Sequence, residues 1–127
     1  MNIVRKINDK LAIAGQITLC QLQQIADEGY KSVLNLRLPD ETGLLADEQE
    51  KIELLGLCYL NFPIKPEDIN HPPTLQIYET ISELPKPILI HCDNSIRSAA
   101  IALLYIAIKQ GITFEKALEK IVSLSLI

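Results

Sequence analysis

Cys92 and Arg97 are separated by four residues in the segment Ile88-Leu89-Ile90-His91-Cys92-Asp93-Asn94-Ser95-Ile96-Arg97-Ser98. Its composition reads as a buried strand, a tight turn and the start of a helix. In that setting the backbone amides of Asp93, Asn94, Ser95, Ile96 and Arg97 can converge on one point at the helix amino end, where the helix dipole also favours negative charge. A cysteine at the mouth of such a nest is favoured as the thiolate. Arg97 can fork onto two oxygens of a bound oxyanion. The chemistry these residue types suit is nucleophilic attack by sulfur on an oxyanion-bearing substrate, with charge stabilisation from amides and arginine. It calls for no metal and no cofactor.

The elements that must hold this loop are legible in the periodicity of the rest of the chain. Ile3 to Ile7 and Leu11 to Ala14 read as short strands around a turn at Asn8-Asp9. Thr18 and Gln21 form a capping box for a helix that stops at Gly29. Ser32 to Leu36 is a strand, Leu44 to Leu55 a helix with acidic first turns, and Cys58 to Phe62 a strand before a proline-rich loop. A helix over about Thr74 to Leu84 leads to Ile88–His91, apolar at consecutive positions like a strand buried on both faces. Arg97 to Lys109 is helical up to Gly111, and Thr113 caps a last helix ending near Leu124. Strands alternating with helices predict an α/β fold: a small, mostly parallel sheet with helices on both faces, and residues 1–127 as one domain. Ligands of such sheets bind beyond the carboxyl ends of the strands. Three of those ends are Arg37 to Glu41, Pro63 to His71, and Cys92 to Arg97.

Net charge of −4 and a pI near 5.1 argue against a nucleic-acid partner. No apolar run approaches a bilayer span, and the amino terminus does not read as a secretory signal. Three scattered cysteines, Cys20, Cys58 and Cys92, without zinc spacing predict a reducing, cytoplasmic setting, and the shortness of the apolar runs predicts no membrane association.

The His91-Cys92…Arg97-Ser98 string on strand–loop–helix resembles the signature loop of the protein tyrosine and dual-specificity phosphatases. The chain is more similar still to the phosphatase-like family found alone and fused to beta-lactamase-like hydrolases, which has also been linked to sulfur metabolism. That family carries a Gly-Gln-[IVL]-[ST] element, an Asn-Leu-Arg strand end and a Cys-x4-Arg loop. Here they are Gly15-Gln16-Ile17-Thr18, Asn35-Leu36-Arg37 and Cys92 to Arg97. The resemblance runs from about Leu11 to Gly111. It implies that Cys92 is the nucleophile and Arg97 the oxyanion clamp. His91 would prop the loop and help keep the thiolate ionised, and the Ser98 hydroxyl would stabilise the leaving sulfur. The class uses an aspartate on a neighbouring loop as general acid. Asp68 is the candidate here, with Asp40 second. The implied substrate is a phosphorylated protein or small molecule.

Standard phosphatases have five residues between cysteine and arginine, and related loops commonly place glycine where Ser95 stands. The four-residue gap matches the rhodanese loop better, in which cysteine carries a persulfide. Sulfur transfer through Cys92 and a non-catalytic anion-binding module are therefore the alternatives to phosphate-monoester hydrolysis. Arg37 reads equally as a substrate contact or as the salt-bridge partner of Asp40 or Glu41. The acids of the second helix read as a solvated face, His71 as a solvated loop residue, and Cys20 and Cys58 as unreactive.

Overall fold

A computed structural model of the chain describes residues 4–41, 43, 45–68, 75–113, 115–117 and 119. Its strands are β1 (Arg5–Lys6), β2 (Leu11–Ala14), β3 (Ser32–Asn35), β4 (Cys58–Asn61) and β5 (Ile88–His91). Its helices are α1 (Leu19–Asp27), α2 (Glu48–Leu54), α3 (Leu75–Glu83) and α4 (Ile96–Lys109). The five strands form one sheet in the order β1-β2-β5-β3-β4, parallel except for the antiparallel β1. This is the expected α/β architecture. Ile3, Leu44, His71, Thr74 and the end of the last helix near Leu124 lie outside the described residues.

The sheet separates two cores because successive side chains of a strand point to opposite faces. On one face Ala12, Ala14, Val33 and Leu89 pack with Leu22 and Ile25 of α1 and Ile52 of α2. On the other, Leu11, Ile13, Leu34, Ile88 and Ile90 pack with Ile77 and Ile81 of α3 and Ile101 and Leu104 of α4. Full burial of each such leucine or isoleucine contributes about 2 kcal/mol. The three inner strands β2, β3 and β5 are buried at every position, whereas the edge strand β4 alternates with exposed residues.

Register decides where the site falls. Ala14 and Asn35 flank His91 on either side, and Asn61 lies beside Asn35. One row of residues therefore marks the carboxyl edge of the sheet, and the chain leaves that edge at Gly15-Gln16, Leu36-Arg37, Phe62-Pro63 and Cys92. The three segments that carried the family resemblance leave the sheet side by side.

Two helix starts differ from expectation. α2 begins at Glu48 rather than Leu44, because Asp47 adopts a left-handed conformation (φ 55°) that no helix can pass through. α4 begins one residue early, at Ile96. The capping box of α1 is present, with the Thr18 N–H donating to Gln21 Oε1 at 2.9 Å and the Gln21 N–H to Thr18 Oγ1 at 3.2 Å. Thr113 caps the last helix, accepting from the Lys116 amide through Oγ1. Among the described residues no helix is long and apolar enough to cross a membrane.

Candidate active site

Cys92 follows β5 directly, tied by its own N–H to the Ala14 carbonyl of β2 (3.2 Å). Its side chain has no exposed surface. The Ser98 N–H, in the first turn of α4, donates to Cys92 Sγ at 3.4 Å, and Ser98 Oγ lies 3.5 Å from the same sulfur. The Ser98 hydroxyl has two further acceptors in reach, the carbonyls of Ala14 (3.1 Å) and Ser95 (3.0 Å). The sulfur thus faces an amide and a rotatable hydroxyl at the positive end of a fourteen-residue helix. Cys20 and Cys58 are exposed on the surface.

Arg97 is not a surface cation. Only 5% of its side chain is exposed, and it is held from three directions. Glu41 takes both terminal nitrogens, Nη1 to Oε2 at 2.9 Å and Nη2 to Oε1 at 2.7 Å. Nη1 also donates to the Ile64 carbonyl (3.0 Å), and Nη2 lies 3.0 Å from Asp93 Oδ1. The pairing with Glu41 and Asp93 raises the Arg97 pKa further above its already high value. Conversely, hydrogen bonding from Arg97 is the main cause that brings the Glu41 carboxyl down from 4.5 to about 2. Burial opposes this, and the Leu38 amide and Arg37 assist. Arg37 does pair with Glu41, Nε to Oε1 at 3.1 Å, while its Nη1 donates to Gln16 Oε1 at 2.8 Å. Asp40, by contrast, is exposed.

The loop itself is closed by its own side chains. Asp93 Oδ1 accepts from the Asn94 amide at 2.8 Å, and Asn94 Oδ1 accepts from the Ile96 amide at 3.1 Å. Burial pushes the Asp93 carboxyl up, but hydrogen bonds from Arg97 and the loop amides outweigh it, and the net direction is down. Two of the amides expected to face a ligand are therefore engaged internally. The Ile96 side chain is half exposed at the loop's rim.

Ser95 is left-handed, at φ 70°. The position commonly held by glycine does need a positive φ, and serine adopts it at a cost. Ser95→Gly should stabilise the fold by about 0.5–1 kcal/mol once glycine's extra unfolded-state entropy is counted. That corresponds to a rise of about 2–4 °C in the thermal midpoint. An unchanged or lower midpoint in calorimetry would show that the loop carries no such strain.

Beneath the loop, His91 is fully buried and its Nε2 lies 2.8 Å from Glu48 Oε2. Glu48 is itself only 7% exposed, which corrects for this one residue the expectation that the acids of this helix form a solvated face; Asp47, Glu50 and Glu53 are exposed. It also accepts from Gln16 Nε2 (3.1 Å) and from Tyr59, whose hydroxyl is held by Asn35 Nδ2 at 3.0 Å. Burial pushes the Glu48 carboxyl up, but bonding to His91, Gln16 and Tyr59 prevails and its net direction is down. Burial and the charge of Glu48 push the Tyr59 hydroxyl up to about 12. His91 Nδ1 finds no partner among the described residues. Glu48 went unnoticed in the sequence, although a histidine at the end of a doubly buried strand calls for a polar partner on a neighbouring element.

Gln16 links both halves of the site, because its backbone N–H donates to the Asp93 carbonyl (3.2 Å). Asp68 lies in a 3-10 turn, Pro66–Asp68, half-buried and four residues beyond the carbonyl that accepts from Arg97. A cavity of about 490 Å³ adjoins the site, lined by Asn35, Arg37, Glu48, Tyr59 and Asn61 among others. Cys92 does not line it. Among the described residues no group of histidines, cysteines and acids could hold a metal ion.

This architecture recurs in solved structures. The DUF442 protein of Shewanella putrefaciens CN-32 superposes with a TM-score of 0.72 at 22% identity, over 90% of this chain and 74% of that one. Tk-PTP in its active form gives 0.69 at 21% identity, over 93% and 81%. P. aeruginosa TpbA in complex with pTyr gives 0.69 at 15% identity, over 93% and 70%. The fold is that of the cysteine-dependent phosphatases. In sequence, the chain is 28% identical over 103 residues to the beta-lactamase hydrolase-like protein of Agrobacterium fabrum, and 30% identical over 96 residues to that of Xylella fastidiosa. These matches cover 78% and 72% of this chain but only 24% and 22% of those proteins. The family model for the phosphatase-like domain of beta-lactamase hydrolase-like proteins matches residues 3–110. The chain, which spans about a quarter of the length of those relatives, belongs to that phosphatase-like domain family.

Proposed function

We propose that this chain hydrolyses phosphate monoesters through a phosphocysteine intermediate on Cys92. The observation that carries the proposal is the placement of the Ser98 amide and hydroxyl on Cys92 Sγ in the first turn of α4, one residue beyond a clamped Arg97. The Cys92 thiolate attacks phosphorus, an S–P bond forms and the ester P–O bond breaks. Asp68 gives its proton to the leaving oxygen. Arg97 and the loop amides hold the non-bridging oxygens while charge shifts. Water then attacks phosphorus and Asp68 takes up its proton. The S–P bond breaks, and the Ser98 hydroxyl turns from a carbonyl to donate to the departing sulfur. The adjoining cavity gives room for the rest of the substrate, and TpbA's complex with pTyr makes an aryl phosphate the first substrate to try. Turnover of an aryl phosphate by the wild type and its complete loss in Cys92→Ser is the expected result. Phosphate release unchanged by the serine would overturn the mechanism.

Sulfur transfer through a Cys92 persulfide is a second reading, favoured by one observation. The loop is short, and the Asn94 and Ile96 amides are already engaged by its own side chains. Fewer free donors suit a sulfane sulfur better than three phosphoryl oxygens. The same closure would also suit a non-catalytic anion-binding module.

A further inference from the structure

Asp93 puts a carboxylate on the very donors that an oxyanion would use. One oxygen, Oδ1, accepts from the Asn94 amide at 2.8 Å and lies 3.0 Å from Arg97 Nη2. The guanidinium has five N–H donors. Its terminal nitrogens engage Glu41, the Ile64 carbonyl and Asp93, leaving only Nε without a partner among the described residues. The two carboxylates on Arg97 differ in how firmly they are held. Glu41 is 20% exposed and anchored by the Leu38 amide at 2.7 Å and by Arg37 at 3.1 Å. Asp93 is 46% exposed, and among the described residues its side chain reaches only the loop and Arg97. Glu41 is thus a fixed counter-charge and Asp93 a displaceable one.

We propose that Asp93 is a specificity-determining residue. Its Oδ1 occupies the place of a ligand oxygen on the Asn94 amide and Arg97, so the site takes an oxyanion only by exchange. The proposal rests on the anion-binding part of the function proposed above, not on the chemistry at Cys92. An incoming anion gains the two donors that Asp93 releases and the Nε–H of Arg97. It must also tolerate the displaced carboxylate nearby. That repulsion grows with the ligand's charge, so Asp93 weakens binding of dianions more than of monoanions of the same shape, and the phosphate monoester proposed above binds better as its monoanion, below its second pKa of about 6. Charge around the loop is already balanced, Arg97 and Arg37 against Glu41 and Asp93.

Asp93→Asn isolates the charge, because the amide oxygen still accepts from Asn94 and the shape is unchanged. Binding of sulfate and of perchlorate, both tetrahedral and differing by one charge, is measured by calorimetry or amide chemical shifts for wild type and variant. Sulfate should bind at least about tenfold more tightly to Asp93→Asn, the equivalent of one charge-assisted contact. Perchlorate should gain less. Asp93→Ser, which removes the charge and also vacates the Asn94 amide, should gain affinity for both anions and more for sulfate, and thermal unfolding of both variants establishes that they are folded. Unchanged or weaker sulfate binding overturns the proposal, and an equal gain for both anions overturns the charge discrimination. Failure of every protein to bind either anion overturns it together with the anion site itself. Turnover by wild type and Cys92→Ser does not enter these measurements, so the two proposals fail separately.

Discussion

Arg97→Ala should lower aryl-phosphate turnover about a thousandfold, the scale on which loss of a main oxyanion contact is felt. The side chain is the cation that pairs with Asp93 in the loop after Cys92, and it also fixes Glu41 and the Ile64 segment. Its loss has a second signature that needs no substrate. Arg97 is the main reason the Glu41 carboxyl lies at about 2 rather than 4.5. Without it, the Glu41 midpoint followed by NMR should move back up toward 4.5. The sign for stability follows. A carboxyl depressed in the folded protein contributes stability above its unfolded pKa of about 4.3, lost as pH falls toward 2. In Arg97→Ala this acid-side contribution should shrink. A Glu41 midpoint that stays near 2 would mean that Arg37 and the Leu38 amide hold the carboxylate without Arg97.

Glu48→Ala should produce the largest loss of stability, about 3 kcal/mol, or a drop of about 10 °C in thermal midpoint. The carboxylate accepts from His91, Gln16 and Tyr59 in a nearly dry setting, and its removal takes the acceptor from His91 and Tyr59 and one of the acceptors from Gln16, whose Nε2 keeps the Ile17 carbonyl. Glu48→Gln should cost less, because an amide oxygen can still accept from His91. Because His91 is bonded to Cys92 in sequence and Gln16 donates to the Asp93 carbonyl, loosening this network should also broaden the loop's amide resonances. A midpoint within about 2 °C of wild type would show that water replaces the carboxylate at little cost.

How much of this was legible in the sequence depends on whether the determining contact is local. The strands Leu11–Ala14 and Ile88–His91, the Thr18 capping box and the α4 helix follow from neighbours in the chain, and the structure has them at or within a residue of the expected bounds. At Ser95 the signal came from the family resemblance alone, since related loops place glycine there, and the positive φ itself is seen only in the structure. α2 was misjudged because its acidic, helix-favouring run gives no sign that Asp47 turns left-handed. The partners of the site are non-local. Glu41 lies 56 residues from Arg97, and Glu48 lies 43 from His91. Nothing in the spacing of a single sequence encodes such pairs. Arg37 could be narrowed to two acids, and packing chose Glu41. The polar edge His91–Asn35–Asn61 emerges only once the strand order β5-β3-β4 is known.

Intact-mass spectrometry of acid-quenched protein, taken seconds after mixing with an aryl phosphate and in parallel with a sulfane-sulfur donor, tests the central claim most directly. The account predicts one phosphoryl group on the chain, mapped to Cys92 and absent from Cys92→Ser. A chain that takes up sulfur at Cys92 but never phosphoryl, or that takes up neither, would contradict it.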